Sequence, residues 1–159
     1  MTEYSVRDGV RTLTFDGVLL AESTSWSSSK PRWVEFELYR TPKNQYVLAR
    51  IGDSVYYHNS ECFAVERNRL SAVAPEELED DALACPQCKA SRLDPEGVFP
   101  ETPRYMAQVS SEASGVIYTL MQEDDNGLKY MTNVARRLLA DASKYDVDIH
   151  RAYLNDRIE

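Results

Sequence analysis

The sequence predicts an α+β fold, in which an N-terminal antiparallel β-sheet, a central zinc knuckle and a C-terminal helical layer follow one another. Three observations predict it: alternating apolar residues in the first third of the chain, clustered cysteines in the middle, and apolar residues at helical spacing near the end. A chain of 159 residues with 43% hydrophobic content can bury its own core. We therefore expect a single zinc-stabilised domain over 1–159, with parts at 10–57, 58–104 and 105–159.

The first part, residues 10–57, has the composition and alternation of β-strands. The clearest strand is "RWVEFELYR" (32–40), followed after a short turn by "QYVLARIG" (45–52). Strict alternation of apolar side chains is typical of a half-buried strand. In the first of these strands the apolar face consists of Val34, Phe36 and Leu38.

Two turn signals lie within this β-region. The segment "TPKN" (41–44) has turn chemistry, because proline presets φ and Asn44 tolerates a left-handed backbone. Further upstream, Asp16 and Gly17 stand between two apolar runs. This pair indicates either a tight hairpin or one long strand with a glycine bulge, and the sequence leaves both open.

The middle part, residues 58–104, is less regular. A short helix capped by Ser60 is expected over 60–70, and a second helix over 74–84, where a proline and acidic residues stand at the start. The stretch 93–103 contains three prolines and a glycine, which predict an irregular linker.

The last part, from about residue 105, has helical periodicity. A first helical segment includes Val109 and Ile117, and it ends at the polar stretch 123–127. A final short helix is expected over 148–156. Between them, a helix over 131–144 has an apolar stripe formed by Val134, Leu138, Leu139 and Ala142.

All three cysteines and one of the two histidines lie close together in the sequence. They form two short-range pairs, His58-x3-Cys62 and Cys85-x2-Cys88, and structural zinc usually takes four nitrogen or sulfur ligands in this arrangement. This one set includes every cysteine of the chain, which favours a metal site over ordinary buried thiols or a redox pair. We predict a structural zinc ion bound by these four side chains.

A catalytic zinc site is the enzyme alternative. Zinc deaminases carry a His-x-Glu motif followed by Pro-Cys-x-x-Cys. Here the acid, Glu61, is one position too far from His58, and Ala84 replaces the proline. With Cys62 as a ligand, four protein groups would leave no position for a reactive water. A zinc-dependent hydrolase or deaminase-like enzyme therefore remains the alternative to a structural site.

The charge balance bears on partners and location. Twenty-six acidic and 18 basic residues give a net charge of −8, which repels a phosphate backbone. A nucleic-acid-binding zinc module is therefore a second, less favoured alternative. The N-terminus lacks the features of a signal peptide, and no stretch of the sequence is apolar enough to span a membrane. We expect a cytoplasmic protein whose cysteines are reduced.

Aromatic residues suggest how the protein acts. The chain has ten tyrosines, and Trp33 and Tyr39 lie on the second face of the predicted sheet. Such residues form either a half-buried sheet face or a docking surface for another protein. Together with a closed zinc site, they favour a non-enzymatic interaction module, an adapter or regulatory protein, with a protein partner. Zinc would clamp the sheet to the linker, so chelation should loosen the whole domain cooperatively.

Overall fold

The computed structural model describes residues 1–59, 61–62, 73–92 and 97–158. The predicted fold class is confirmed: a curled antiparallel N-terminal sheet, a group of histidine and cysteine side chains in the middle, and C-terminal helices. In the described residues the strands are β1 (Thr2–Asp8), β2 (Arg11–Thr24), β3 (Arg32–Arg40), β4 (Tyr46–Ser54), β5 (Tyr56–His58), β6 (Leu83–Ala84), β7 (Phe99–Pro100), β8 (Arg104–Ser110), β9 (Gln122–Glu123) and β10 (Lys129–Tyr130). The helices are α1 (Ala113–Leu120), α2 (Asn133–Ala142) and α3 (Val147–Ile158).

The chain divides into two compact units. The sheet–helix unit comprises Met1–Ser25, Val34–Ile51 and Tyr105–Glu159, and the knuckle unit comprises Trp26–Trp33 and Gly52–Arg104. Each unit has a hydrophobic cluster of its own. That the whole chain behaves as a single zinc-stabilised domain stays a prediction.

The sheet–helix unit contains a five-stranded sheet in the order β1-β2-β3-β4-β8. β1 and β2 form an antiparallel hairpin that closes at the pair Asp8 and Arg11. Gly9 is the first of the two loop residues and has a φ of 62°, a conformation that suits glycine at that place in a two-residue turn. The sheet therefore begins before residue 10, where the prediction placed its start. β1 belongs to the sheet because every one of its residues, from Thr2 to Asp8, pairs with a residue of β2.

Gly17 lies within a strand and not in a turn. β2 runs without interruption from Arg11 to Thr24, and Gly17 pairs with Thr2. The hairpin interpretation of Asp16-Gly17 is therefore wrong, and the long-strand alternative is the better one, although the register irregularity falls between Leu19 and Ala21. A Cβ at Gly17 would lie 2.7 Å from the carbonyl oxygen of Arg40, so glycine permits the close approach of β3.

The turn predicted at 41–44 is confirmed. Asn44 has a φ of 60°, and its backbone N–H donates to the carbonyl oxygen of Thr41 at 3.0 Å. The N–H of Thr41 in turn donates to the carbonyl oxygen of Gln45 at 2.9 Å. The left-handed residue thus closes the connection between β3 and β4.

The sheet curls until its two edge strands meet at one end. The backbone N–H of Gly9, at the end of β1, donates to the carbonyl oxygen of Tyr105 in β8 at 2.8 Å. The guanidinium of Arg7 lies 4.3 Å from the centre of the Tyr105 ring, within the range of a cation–π contact. One face of the sheet is thereby enclosed by the sheet itself.

An aromatic cluster fills that enclosed face, and it contains Tyr39. The centre of the Tyr39 ring lies 4.6 Å from that of Tyr4 and 5.1 Å from that of Phe15. Tyr39 is 4% exposed, so its side chain belongs to a core and is not available as part of a docking surface. The prediction of a docking role for Tyr39 is corrected accordingly, because the curl of the sheet covers a face that the pattern alone leaves open.

The other face of the sheet packs against the helices. Phe36, Leu38 and Leu48 from the strands share one cluster with residues of α1, α2 and α3. The predicted apolar stripe of α2 is confirmed, with four buried side chains: Val134, Leu138, Leu139 and Ala142. Fully burying one leucine side chain contributes about 2 kcal/mol of stability, so this stripe provides much of the free energy with which α2 packs on the sheet.

The predicted first helix begins later than expected. Residues 104–110 form β8, which is the neighbour of β4, so Val109 lies on a strand. The helix α1 begins only at Ala113 and buries Val116 and Ile117. Periodicity over so short a segment does not separate a strand from a helix, and the pairing of β8 with β4 is non-local.

The knuckle unit is built around a small three-stranded sheet of order β6-β5-β7. The helix predicted over 74–84 is wrong: a 3₁₀ turn covers Pro75–Glu77, and Leu83–Ala84 forms β6. The linker predicted over 93–103 contains β7, which pairs with β5, and Pro100 is tolerated there because β7 is an edge strand.

The short helix predicted over 60–70 falls almost entirely outside the described residues. None of the helices among the described residues is long and apolar enough to cross a membrane.

Candidate metal centre

The central strand of the knuckle unit positions His58, the predicted histidine ligand. β5 pairs in parallel with β6 and antiparallel with β7, and His58 is its last residue. The side chain of His58 is fully buried. A buried imidazole needs a partner for each ring nitrogen, so the groups next to Nδ1 and Nε2 determine whether the ring can bind a metal ion.

The cysteines lie in turns that follow two of these strands. Cys62 comes shortly after β5, and its backbone N–H donates to the carbonyl oxygen of Asn59 at 3.3 Å. Cys85 comes directly after β6, where its N–H donates to the carbonyl oxygen of Tyr57 at 3.0 Å. The turn through Cys88 is closed by a 2.7 Å bond from the N–H of Lys89 to the carbonyl oxygen of Cys85.

The backbone of that last turn is unusual at Lys89. This residue has a φ of 50°, a left-handed conformation that few non-glycine residues adopt. This conformation lies at the end of the turn that contains Cys85 and Cys88, where the N–H of Lys89 closes the turn on the carbonyl oxygen of Cys85.

These turns bring all four predicted ligands together. One ligand atom from each of His58, Cys62, Cys85 and Cys88 lies within 4.8 Å of all the others. His58, Cys62 and Cys85 are buried, and Cys88 is half-buried. The buried side chains lie close enough together to hold a metal ion.

Two distances within the group match a tetrahedral site. His58 Nδ1 and Cys62 Sγ are 3.3 Å apart, and the sulfur atoms of Cys62 and Cys85 are 3.9 Å apart. With usual zinc bond lengths, the corresponding edges of a tetrahedron are roughly 3.5 Å and roughly 3.8 Å. The sulfur atoms are much farther apart than the ~2.05 Å of a disulfide, and none of the three cysteines forms a disulfide.

The surroundings of the Cys85 thiol favour its ionised form. Burial alone would raise its pKa, but hydrogen bonds from the backbone amides of Cys88 and Gln87, together with the thiols of Cys62 and Cys88, outweigh burial. The pKa of Cys85 is therefore lowered, which favours the thiolate. Because thiolates and not thiols bind metal ions, this environment suits a ligand.

Glu101 also belongs to the site, although the sequence did not indicate it. Its Oε1 atom lies 3.2 Å from His58 Nε2 and 2.7 Å from the guanidinium of Arg32. Glu101 was expected in an irregular linker, and no spacing rule relates it to His58. Only the pairing of β7 with β5 brings the carboxylate to the imidazole.

The remaining predicted residues are not part of this group. Glu61, the acid considered for a deaminase-like enzyme, has an exposed side chain, and its N–H donates to Asn59 Oδ1 at 3.0 Å. Trp33 is half-buried in the knuckle unit, whereas Tyr39 is buried in the sheet–helix unit.

In the part of the chain that the structure describes, the His58 group is the one cluster of such side chains that could hold a metal ion. No protein-family model, no curated protein and no solved structure matches this chain.

Proposed function

We propose that the chain is a non-enzymatic interaction module whose knuckle unit is stabilised by a structural zinc ion. His58, Cys62, Cys85 and Cys88 would be the ligands. The single observation that carries the proposal is that four nitrogen and sulfur ligand atoms, three of them from buried residues, lie within 4.8 Å of one another.

The chemistry of the donors supports zinc. One imidazole and three thiolates are a usual ligand set for structural zinc, which prefers tetrahedral coordination. Hard cations such as magnesium and calcium take oxygen ligands instead. Iron–sulfur clusters are usually held by four cysteines, and the chain has three.

The closed ligand set supports a structural role over a catalytic one. Four protein ligands fill a tetrahedron, so no coordination position is left for a water or a substrate. The side chain of Glu61, the candidate general acid or base, is exposed and does not belong to the ligand group. The hydrolase and deaminase-like alternatives therefore receive no support from the geometry.

The small core of the knuckle unit supports a need for metal. In its described part the buried cluster contains Tyr57, Leu78, Ala90 and Val98, with a few half-buried neighbours. A core of this size contributes little stability by itself, whereas a structural zinc ion can contribute on the order of 10 kcal/mol. Metal binding would then supply most of the folding free energy of this unit.

The net charge supports a protein partner over a nucleic acid. A charge of −8 opposes the approach of a phosphate backbone. Trp33 in the knuckle unit is half-buried, and tryptophan is enriched where proteins contact one another. A reduced, cytoplasmic location fits three cysteines that form no disulfide.

Metal content tests the proposal. Protein purified without added metal should contain close to one zinc ion per chain by mass spectrometry, and the double variant Cys85→Ser with Cys88→Ser should contain none. His58→Ala should likewise lose zinc, and His150→Ala is its matched control, because His150 is an exposed histidine outside the group. Full zinc content in the double variant would refute the site.

A separate experiment tests the partner. Wild-type protein and Trp33→Ala should both retain zinc, and the variant should lose a protein that co-purifies with the wild type from the native host. A salt-dependent shift of labelled DNA or RNA would instead favour the nucleic-acid-binding alternative.

A further inference from the structure

Glu101 is held beside His58 by backbone pairing. In the antiparallel ladder of β5 and β7, His58 is opposite Phe99, and the N–H of Glu101 donates to the carbonyl oxygen of Tyr56 at 3.0 Å. The Glu101 side chain is 9% exposed and that of His58 is 0% exposed. The contact between them is therefore built into the fold of the knuckle unit and shielded from water.

The two ring nitrogens of His58 have different neighbours. Nε2 lies 3.2 Å from the carboxylate of Glu101, and Nδ1 lies 3.3 Å from Cys62 Sγ. A neutral imidazole has one N–H donor and one lone pair. A carboxylate can only accept a hydrogen bond, so the proton belongs on Nε2 and the lone pair on Nδ1, which faces the cysteines.

We propose that Glu101 is a positioning residue for the metal centre: it holds His58 in the tautomer that binds the metal through Nδ1. This inference rests on the proposed metal site. A carboxylate that accepts the second N–H of a metal-binding histidine fixes the ring orientation and makes the other nitrogen a stronger ligand. The carboxylate itself does not contact the metal in this arrangement.

Arg32 completes the arrangement by balancing charge. Three thiolates and a divalent zinc ion would have a net charge of about −1, and a buried carboxylate beside them adds another negative charge. The guanidinium of Arg32 lies 2.7 Å from Glu101 Oε1 and 5.1 Å from the centre of the Tyr56 ring. Arg32 therefore both holds the carboxylate in place and offsets its charge.

The test on the wild type uses nuclear magnetic resonance. The chain is produced with isotope-labelled histidine and loaded with an NMR-active cadmium isotope, which replaces zinc. We expect scalar coupling between cadmium and Nδ1 of His58, with a proton on Nε2. Coupling to Nε2 would overturn the role of Glu101 and leave the metal site standing, whereas a chain that binds no metal would refute the proposed function itself.

Variants measure the size of the effect. Glu101→Ala should weaken zinc binding by about 10- to 100-fold in competition with a chelator, as removal of such a carboxylate usually does. Glu101→Gln keeps a hydrogen-bond acceptor and should recover part of the loss. Glu79→Gln is the matched control, because Glu79 is an exposed glutamate of the same unit. Zinc affinity of Glu101→Ala within about twofold of the wild type would overturn the proposal.

Discussion

Arg40 and Asp146 form an ion pair in which Arg40 Nη1 lies 2.7 Å from Asp146 Oδ2, and the side chain of Asp146 is 0% exposed. The same carboxylate accepts a hydrogen bond from the hydroxyl of Tyr46 at 3.0 Å and one from the backbone N–H of Ile149 at 2.9 Å. Asp146 thus caps the first turn of α3 and joins it to two strands of the sheet.

Replacing Asp146 should destabilise the sheet–helix unit strongly. In Asp146→Ala, Arg40 and Tyr46 lose their shared partner, and removing one member of a buried pair costs about 3–5 kcal/mol. Urea unfolding followed by circular dichroism measures the difference. Asp148→Ala is the control: Asp148 is 50% exposed and 3.6 Å from Arg40, so its loss should cost less than about 1 kcal/mol. Equal costs for the two variants would contradict this account.

Adding one methyl group at Gly17 should also destabilise the sheet. The new Cβ of Gly17→Ala would lie 2.7 Å from a backbone oxygen of β3, which has little room to move. We expect a cost of about 1–3 kcal/mol, as for other forced steric contacts. Asp16→Ala, at the exposed neighbouring position of the same strand, should change the free energy of unfolding by less than about 0.5 kcal/mol. If Gly17→Ala unfolds at the same midpoint as the wild type, β2 and β3 can move apart without a cost in free energy, and this account is wrong.

Metal removal should expose the amides of the knuckle unit to exchange. The amides of Tyr57 and Cys85 lie within or next to its small sheet, so both should lose protection when a strong chelator removes the metal. The single-domain hypothesis adds that Leu138, at the core of the sheet–helix unit, should lose protection at the same time. Hydrogen exchange with mass spectrometry separates the two cases. Unchanged exchange at Leu138 would show that the metal stabilises the knuckle unit alone. The hypothesis that zinc clamps the sheet to the linker would then be wrong.

Stability should fall at alkaline pH because of buried tyrosines. Burial raises the pKa of Tyr39, with added repulsion from Glu37, and burial together with the hydrogen bond to Asp146 raises the pKa of Tyr46. A raised pKa in the folded state means that these tyrosines stabilise the fold fully below the ordinary tyrosine pKa of about 10 and lose that contribution as the pH rises further.

The measurement is the free energy of unfolding in urea from about pH 8 to about pH 11. Tyr39→Phe should weaken the alkaline loss, because one group that ionises in the unfolded chain is removed. Tyr145→Phe controls for loss of a hydroxyl, since Tyr145 is 75% exposed. A pH profile of Tyr39→Phe that is identical to the wild type would exclude Tyr39 as a source of the effect.

Features determined by local sequence could be predicted, and features that depend on distant pairing could not. The stripe of α2 around Leu138 follows from helical periodicity, and the turn at Asn44 follows from its tolerance of a left-handed backbone. The proximity of His58 to the three cysteines could be predicted because metal sites constrain the spacing of cysteine and histidine. By contrast, the burial of Tyr39 depends on the curl of the sheet, and the place of Glu101 depends on the pairing of β7 with β5.

The order of strands has a consequence for how fast the protein folds. Residues 52–104 lie in the chain between most of β4 and β8, yet these strands are neighbours in the five-stranded sheet. Before β8 can add to β4, the ends of this long insertion must meet, which costs conformational entropy. A metal ion that ties His58 to Cys88 would shorten the free part of that loop in advance. Refolding of the sheet should therefore be faster with metal present. The knuckle unit would then control the folding rate of the sheet–helix unit without having to change the free energy of unfolding of that unit.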